Sequence, residues 1–418
     1  MGQIFNLAVL SVANVGLTFA FQWYLLTQVG PGVETDALFV GMTVPQVVLA
    51  IVNGSIVNVL VPMLAGESVE RRRYDSWFFC YLIGGVFGIF SALLLVFSGW
   101  WVPLVVPGFD DQGLGLAIEL TQIQLLGLIF FAVNGVQLAH HQADHRLEWA
   151  ESVQVIGNLL ALAALVLVLP SYGIKAAAWI LVARMLLQVL LLFPGMGKPA
   201  AVSAQNPTLA LAWGRMKPLL LGNAYFKTDP LIDRFMLSMA ASGSISLFYL
   251  GQQIHLAVSQ VINKSIVAPV VAPLSVHYKS GELAAFKRLC RDRLLLTSSL
   301  SLTGVAFIWL FGESVLAVIF GRGSLSPSDV HTLWLILLWL GGTFVGAIGG
   351  QICASVFYVC GDTTTPTRMS VVTFSVYIPA KILAFFQWGV TGLAISTSIY
   401  FLCNFLIQFL LLRRRGVL

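Results

Sequence analysis

Four charged side chains crowd one stretch of an otherwise apolar chain: Lys227, Asp229, Asp233 and Arg234, set around Pro230. On a continuous helix Lys227 and Arg234 (i, i+7) share one face, and Asp229 and Asp233 (i, i+4) share a roughly opposite one. None of the four then meets an opposite charge three or four residues away, so each needs a partner on another helix, in water or in a ligand. A charge left in hydrocarbon costs at least ~2.5–3.5 kcal/mol. Pro230 also removes a backbone bond to the Phe226 carbonyl, which predicts a kink and a free acceptor inside the membrane. The chemistry this suits is anion binding by Lys227 and Arg234, with Asp229 and Asp233 holding Na⁺ or H⁺ or balancing the cations. The plainer reading is that the charges staple this helix to its neighbours.

The next apolar segment carries Tyr249, Gln253, Gln260 and Lys264, whose spacings of four, seven and four fall on one helical stripe. Thr43, Gln46 and Asn53 form a weaker equivalent. Such stripes suit a wet cavity or, equally, interhelical hydrogen bonds that hold a bundle together. Arg184 stands in the middle of an apolar stretch and can join the same cavity. Lys381 lies near the end of another, where snorkelling to the interface is the expectation. His140, His141 and His145, with Asp144 and Glu148, include an i, i+4 pair of metal-ligand spacing, yet no second histidine box accompanies them. A solvated amphipathic loop is expected there. The five cysteines lack C-x-x-C spacing and read as free thiols. With no Walker A loop, nucleophile elbow, H-E-x-x-H or catalytic carboxylate pair, the sequence points to no cofactor, no metal, no ATP-driven step and no enzyme.

Membrane spans must position these residues. Hydrophobic residues make up 58% of the 418 and charged ones 10%, against about 25% charged in an ordinary soluble domain. Twelve apolar stretches approach the ~20 residues that cross a bilayer: 4–28, 38–63, 76–98, 116–139, 152–170, 174–194, 217–240, 246–273, 293–319, 331–358, 369–387 and 391–412. The first has no preceding Lys or Arg and no small-residue cleavage site, so it reads as a retained helix. With the N-terminus cytoplasmic, sixteen Lys and Arg fall in inside loops and the tail, among them Arg71–Arg73, Lys287–Arg293 and Arg413–Arg415, and two, Lys175 and Arg322, fall outside. That asymmetry predicts cytoplasmic N- and C-termini. The net charge of +5 is thus a topology signal, not an affinity for nucleic acid. The basic loops can also attract anionic lipid head groups.

The chain repeats itself. Asn53-Gly54-Ser55-Ile56-Val57 returns 210 positions later as Asn263-Lys264-Ser265-Ile266-Val267, and Leu38-Phe39 is echoed by Leu247-Phe248. The expected fold is therefore an all-α polytopic membrane protein with two six-helix lobes, 1–195 and 215–418, joined by a cytoplasmic linker at 196–214 that contains Gln205-Asn206-Pro207. Six helices per half put both copies in the same sense, related by a pseudo-twofold along the membrane normal, and repeats of this kind point to a transport pathway between them. Gly84-x3-Gly88 and Gly342-x3-Gly346-x3-Gly350 are read as close helix packing.

The segment Glu34-Thr35-Asp36-Ala37-Leu38-Phe39-Val40, followed by Val44-Pro45, Asn53-Gly54 and Val61-Pro62, resembles the opening signature of the MviN/MurJ-type lipid II flippases. Ala241 to Tyr249, the prolines Pro269 and Pro273, and Gly361-Asp362-Thr363-Thr364-Thr365-Pro366 are similar to motifs of that family's second half. The resemblance runs nearly end to end and implies membership of the multidrug, oligosaccharidyl-lipid and polysaccharide exporter superfamily. It implies two six-helix lobes around a cavity that opens alternately to each side. Family members add two helices that form a lipid groove; here the sequence ends after the twelfth, so that groove is expected to be missing. They also carry essential arginines on the first two helices, whereas no Lys or Arg precedes Arg71, and a family cavity arginine aligns with Gln253. Asp36 is retained.

From this follows the expectation of a flippase that moves a polyprenyl-diphosphate-linked saccharide, a lipid II relative or exopolysaccharide precursor, across the bacterial inner membrane. Lys227, Arg234 and Lys264 would hold the diphosphate, with Arg184 beside them; Gln253, Gln260 and Tyr249 would meet sugar hydroxyls; Asp229 and Asp233 would couple to Na⁺ or H⁺. Partners are the lipid-linked substrate, membrane lipids and polysaccharide biosynthesis enzymes. The rivals are a multidrug exporter, which would favour a carboxylate-rich cavity, a membrane glycosyltransferase, for which no catalytic carboxylates are found, and a transport-inactive scaffold.

Overall fold

The computed structural model describes residues 2–201, 206, 208–321 and 323–417. Gln205, Pro207, Arg322 and the side chain of Lys264 lie outside the described residues. Nearly every described residue is helical. In chain order the helices are α1 (Gly2–Val29), α2 (Val33–Leu64), α3 (Val69–Val96), α4 (Ser98–Val105), α5 (Asp111–Ala143), α6 (Leu147–Leu192), α7 (Thr208–Lys227), α8 (Asp229–Ser238), α9 (Ser244–Ile262), α10 (Val271–Lys279), α11 (Leu283–Phe320), α12 (Pro327–Trp339), α13 (Gly341–Val359) and α14 (Thr364–Arg414). In hydrocarbon every backbone polar group must be satisfied internally, which leaves helices as the economical solution for so apolar a chain.

Nine of the described helical stretches are long and apolar enough to cross a membrane. Two of them are hairpins. α6 turns back at Gly173 (φ 64°, ψ −159°) and α14 at Gly389 (φ 60°, ψ −140°), a backbone conformation that a side chain resists. The nine therefore hold eleven spans, and α7 with α8 forms the twelfth. Helix starts are fixed locally: the Asp110 carboxylate accepts from the Gly113 amide at 2.9 Å, and Ser326 and Asp329 form a reciprocal cap on α12.

The chain forms two compact units, Met1–Ser246 and Leu247–Leu418. α7 and α8, which the repeat assigns to the second half of the sequence, stand in the first unit. In that unit α2 lies along α5, which also carries α3 and α6, and α1 packs on α6. A Cβ at Gly41 would sit 2.9 Å from the Thr121 amide nitrogen, so α2 and α5 meet backbone to backbone there. Ile56, Leu60, Phe79, Leu128 and Val136 fill the space beneath. In the second unit α13 packs on α14 and on α11. A Cβ at Gly342 would approach Ser398 Cβ to 2.7 Å and one at Gly346 would run into the Phe401 backbone, so this glycine stripe does set a close crossing. Gly84 and Gly88 meet only side-chain tips of Val133 and Ile129.

Two expectations are corrected. Lys381 does not snorkel: it is fully buried, with its ammonium 4.9 Å from the Tyr377 ring centroid, and Tyr377 stacks on Tyr400 at 4.6 Å. The hairpin at Gly389 folds the second arm of α14 back over the first, and the aromatic faces give the cation an alternative to water. Nor do His140 and His141 belong to a solvated loop. Both are buried at the end of α5, His140 Nδ1 2.8 Å from Ser76 Oγ and His141 Nε2 3.1 Å from the Leu192 carbonyl, while Asp144 pairs with Arg72 and Arg146. Among the described residues no three His, Cys, Asp or Glu side chains converge as a metal site would require.

Candidate functional site

A file of polar side chains runs through the apolar spans of the first unit, along α1 and α6. Asn14 and Thr18 (i, i+4) share a face of α1, and Gln154 and Asn158 (i, i+4) share a face of α6. Asn14 Nδ2 donates to Gln154 Oε1 at 3.1 Å; Asn158 Nδ2 donates to Asn14 Oδ1 and, at 3.4 Å, to Thr18 Oγ1. Beyond the Gly173 turn the second arm of α6 brings Arg184 alongside, and its Nη1 donates to Asn158 Oδ1. Asn158 lies 15 residues before the turn and Arg184 11 after it, about 22 and 16 Å along their arms at ~1.5 Å per residue. Both therefore sit well inside a hydrocarbon core about 30 Å thick. Toward the far end Asn6 Nδ2 reaches Glu148 Oε1 at 3.5 Å. Asn158 is buried and Arg184 only partly so, and Asn14, Thr18, Gln154 and Asn158 bring amide and hydroxyl groups to the same file as this guanidinium. Such an arrangement presents a fixed positive charge inside the membrane together with amide and hydroxyl groups able to donate and accept.

A second constellation ties α2 to α8 and to the turn before α9. Asp36 is 3% exposed. Its carboxylate accepts from the Gly243 amide at 2.7 Å, the Ser246 amide at 2.8 Å and the Ser246 hydroxyl at 2.5 Å. These bonds lie at the amino end of α9, where the helix dipole favours negative charge. The partners stand 207 and 210 positions further along the chain, and the Ser246 separation equals the spacing of the Asn53–Asn263 echo. One face of α2 also carries Thr43, seven residues on, whose hydroxyl donates to the Phe39 carbonyl and accepts from Arg234 Nε at 3.1 Å. A cavity of about 190 Å³ beside Asp36 is lined by Gly108, Asp110, Ser238 and Ser242.

The remaining expected residues separate from one another. Lys227 is the last residue of α7 and exposed; Thr228 interrupts the helix, and Asp229 opens α8 partly buried. The helix is interrupted at Thr228 alone, so Lys227 and Arg234 stand on successive helices, the first exposed and the second buried. Arg234 and Asp233 are 2% and 1% exposed, with Arg234 turned into the packing against α2. Tyr249 is buried, Gln253 partly buried and Gln260 exposed on α9, which ends at Ile262, before Lys264. In the second unit Asp362 accepts from the Thr365 hydroxyl at 2.6 Å, the Thr365 amide at 2.9 Å and Arg415 Nη1 at 2.7 Å. These bonds, the Thr365 hydroxyl foremost, hold its carboxyl well below the usual carboxylate range.

Asn14, Thr18, Gln154 and Asn158 were not singled out from sequence. Their signal was present as two i, i+4 polar pairs within spans, one in the first apolar stretch and one in the fifth, but an isolated amide in a span is common as interhelical glue.

The chain is similar to known proteins over nearly its whole length. The family model described as lipid II flippase MurJ matches residues 26–418. The chain is 21% identical to the probable lipid II flippase MurJ of Buchnera aphidicola, over 90% of this chain and 77% of that one, and 21% identical to the lipid II flippase MurJ of Burkholderia cenocepacia, over 93% and 79%. Among solved structures its fold is similar to a lipid II flippase MurJ in an inward closed conformation, with a TM-score of 0.83 and 17% identity over 97% of this chain and 87% of that one. It is also similar to an inward-facing multidrug resistance transporter of the MATE family, with a TM-score of 0.79 and 15% identity over 97% and 94%. Twelve spans, the motifs around Asp36 and Asp362 and the match across residues 26–418 agree: this multi-pass membrane protein belongs to the lipid II flippase MurJ family.

Proposed function

We propose that the protein translocates a polyprenyl-diphosphate-linked saccharide across the bacterial inner membrane by alternating access, with both termini cytoplasmic, as a transporter and not a catalyst. Membership of the lipid II flippase family supports the substrate class, and the Arg184 file is the observation that carries the chemistry. A diphosphate leaving water loses its hydration, and a guanidinium positioned by the Asn158 side chain can replace that hydration with paired charge-assisted hydrogen bonds. Arg184 thereby takes the part of the cations that the first two helices lack. Lys227, exposed at the end of α7, and Lys264 are the further cations for the diphosphate; Gln253 and Gln260 meet sugar hydroxyls, and Tyr249 backs them. Arg234, bonded to Thr43, acts with Asp36 as a fastening of α2 that must be kept or released during the cycle. Asp229 and Asp233 carry the coupling to Na⁺ or H⁺. A fixed cation in the file disfavours a cationic drug as cargo, which weighs against the multidrug reading.

The test is translocation by the purified full chain in vesicles, followed with a fluorescent polyprenyl-diphosphate saccharide whose outer-leaflet pool is quenched from outside. Wild-type protein moves the label. Arg184→Gln should slow it at least about tenfold, the loss expected from one charge-assisted hydrogen bond. Wild-type protein that moves no such lipid would overturn the reading.

A further inference from the structure

The second unit carries a groove that the proposed transport does not use. α11 and α14 both pack on α13, and between them lies a cavity of about 740 Å³. Its rim is cationic: Lys287, Arg288 and Arg291 come from the first turns of α11, and Arg413 comes from the last turn of α14. Asp292 offers the nearby carboxylate, 3.7 Å from Arg288 and 3.4 Å from Arg291, and both of these pairs are exposed. Positive charge therefore exceeds negative by four side chains to one.

The floor and walls are apolar, and they lie at the same depth on both helices. Leu295 is four residues beyond Arg291 on α11; Phe409 and Phe405 are four and eight residues before Arg413 on α14. At ~1.5 Å per residue this places hydrocarbon-lined wall about 6 to 12 Å from the cationic rim on either side. Phe405 reaches the floor because α13 carries glycine there: a Cβ at Gly349 would lie 2.8 Å from its ring. A cationic layer above an apolar layer, matched across two helices, is complementary to an anionic amphiphile.

Positive-inside bias alone explains basic residues in these loops, but it does not explain why two helices leave an open apolar slot directly beneath them. We propose that this groove binds one anionic glycerophospholipid, its phosphate among Lys287, Arg291 and Arg413 and an acyl chain along Phe405, Phe409 and Leu295. A saccharide-bearing lipid fits less well, because Ser298 is the one neutral polar side chain among the lining residues. A small glycerol head group needs no more.

The test uses the full chain in detergent micelles and native mass spectrometry with phosphatidylglycerol and phosphatidylethanolamine titrated in parallel. Wild-type protein should hold one phosphatidylglycerol under activation that strips phosphatidylethanolamine. The triple variant K287Q/R291Q/R413Q should lose this preference at least about tenfold, since each basic side chain near an anionic head group contributes about a fivefold factor. Ser298→Trp should expel the lipid without changing charge, and the charge-matched variant K279Q/R368Q/R414Q, outside the groove, should keep it. Thermal melting within error of wild type confirms that each variant is folded. Preference unchanged in the triple variant, or lost equally in the charge-matched one, overturns the proposal. Displacement of phosphatidylglycerol by equimolar farnesyl diphosphate also overturns it, by assigning the groove to prenyl diphosphates.

Discussion

The two copies of the repeated motif, Asn53–Val57 and Asn263–Val267, have come to different structures. The first lies inside α2, a single 32-residue helix that runs through Pro45 and Pro62. The second forms a π-helical turn, followed by a 3₁₀ turn at Ala268–Val270 before α10 resumes. One cause is visible in the sequence. At the 210-residue spacing Val59 is matched by Pro269, which has no amide hydrogen to donate and whose ring crowds the preceding turn. The copy anchored by Asp36, Thr43 and the Gly41 crossing stays regular, and its mate carries the irregular backbone that frees carbonyl groups within a span. Widened and tightened turns inside spans concentrate where helices bend or bind. Duplication has here supplied a fixed member and a yielding one.

Breaking the fixed member should cost most. Asp36→Ala leaves the Gly243 and Ser246 donors buried without their acceptor, so we expect a loss of about 3–5 kcal/mol in thermal unfolding of the detergent-solubilised protein. Asp36→Asn should recover part of it. Moving the irregularity into the first copy with Val59→Pro should cost about 3 kcal/mol by the same measurement. The reverse change sharpens the comparison: Pro269→Val should leave stability within about 1 kcal/mol of wild type while slowing translocation several-fold, as stiffening a hinge does. Amide hydrogen exchange across residues 259–273 would fall in that variant if the π turn has become regular helix.

A smaller effect tests whether the halves share their hairpins. Gly173→Ala and Gly389→Ala place a side chain in the same positive-φ conformation, and each should cost about 1–3 kcal/mol. Clearly unequal costs would mean that the two turns are not structural equivalents. The least effect belongs to Asp362→Asn. Because its hydrogen bonds hold the folded carboxyl below its unfolded value, wild type gains stability above the ordinary carboxylate range and loses it as the pH drops below about 4. The melting temperature of wild type should therefore fall more steeply on acidification than that of the variant, by a margin that solvent screening at this partly exposed carboxylate keeps small.

Span number, helical class and family were legible because each rests on many residues: apolar runs of bilayer length and motifs such as Gly361–Pro366. The site was legible only in parts. Arg184 stood out as a charge inside an apolar run, and Asp36 through its motif. Asn14 and Asn158 did not, since their meaning depends on α1 lying against α6, a contact that periodicity within one helix cannot reveal. Lys227 and Arg234 were paired by helical arithmetic, whereas a one-residue interruption at Thr228 divides them between α7 and α8 and only Arg234 is buried. Lys381 was misread for a related reason: its burial comes from the second arm of α14, twenty residues away in sequence, folding Tyr400 over Tyr377. Long-range packing decided each of these cases.

In the proposed function the Arg184 guanidinium, held by Asn158 in the α1–α6 file, takes the substrate's diphosphate. The decisive comparison is the affinity of the purified full chain for a polyprenyl-diphosphate saccharide beside its monophosphate counterpart, in wild type, Arg184→Lys and Arg184→Gln. Arg184→Gln should weaken the diphosphate at least about tenfold and the monophosphate less, with Arg184→Lys in between. Equal affinities for the diphosphate in wild type and Arg184→Gln would contradict it.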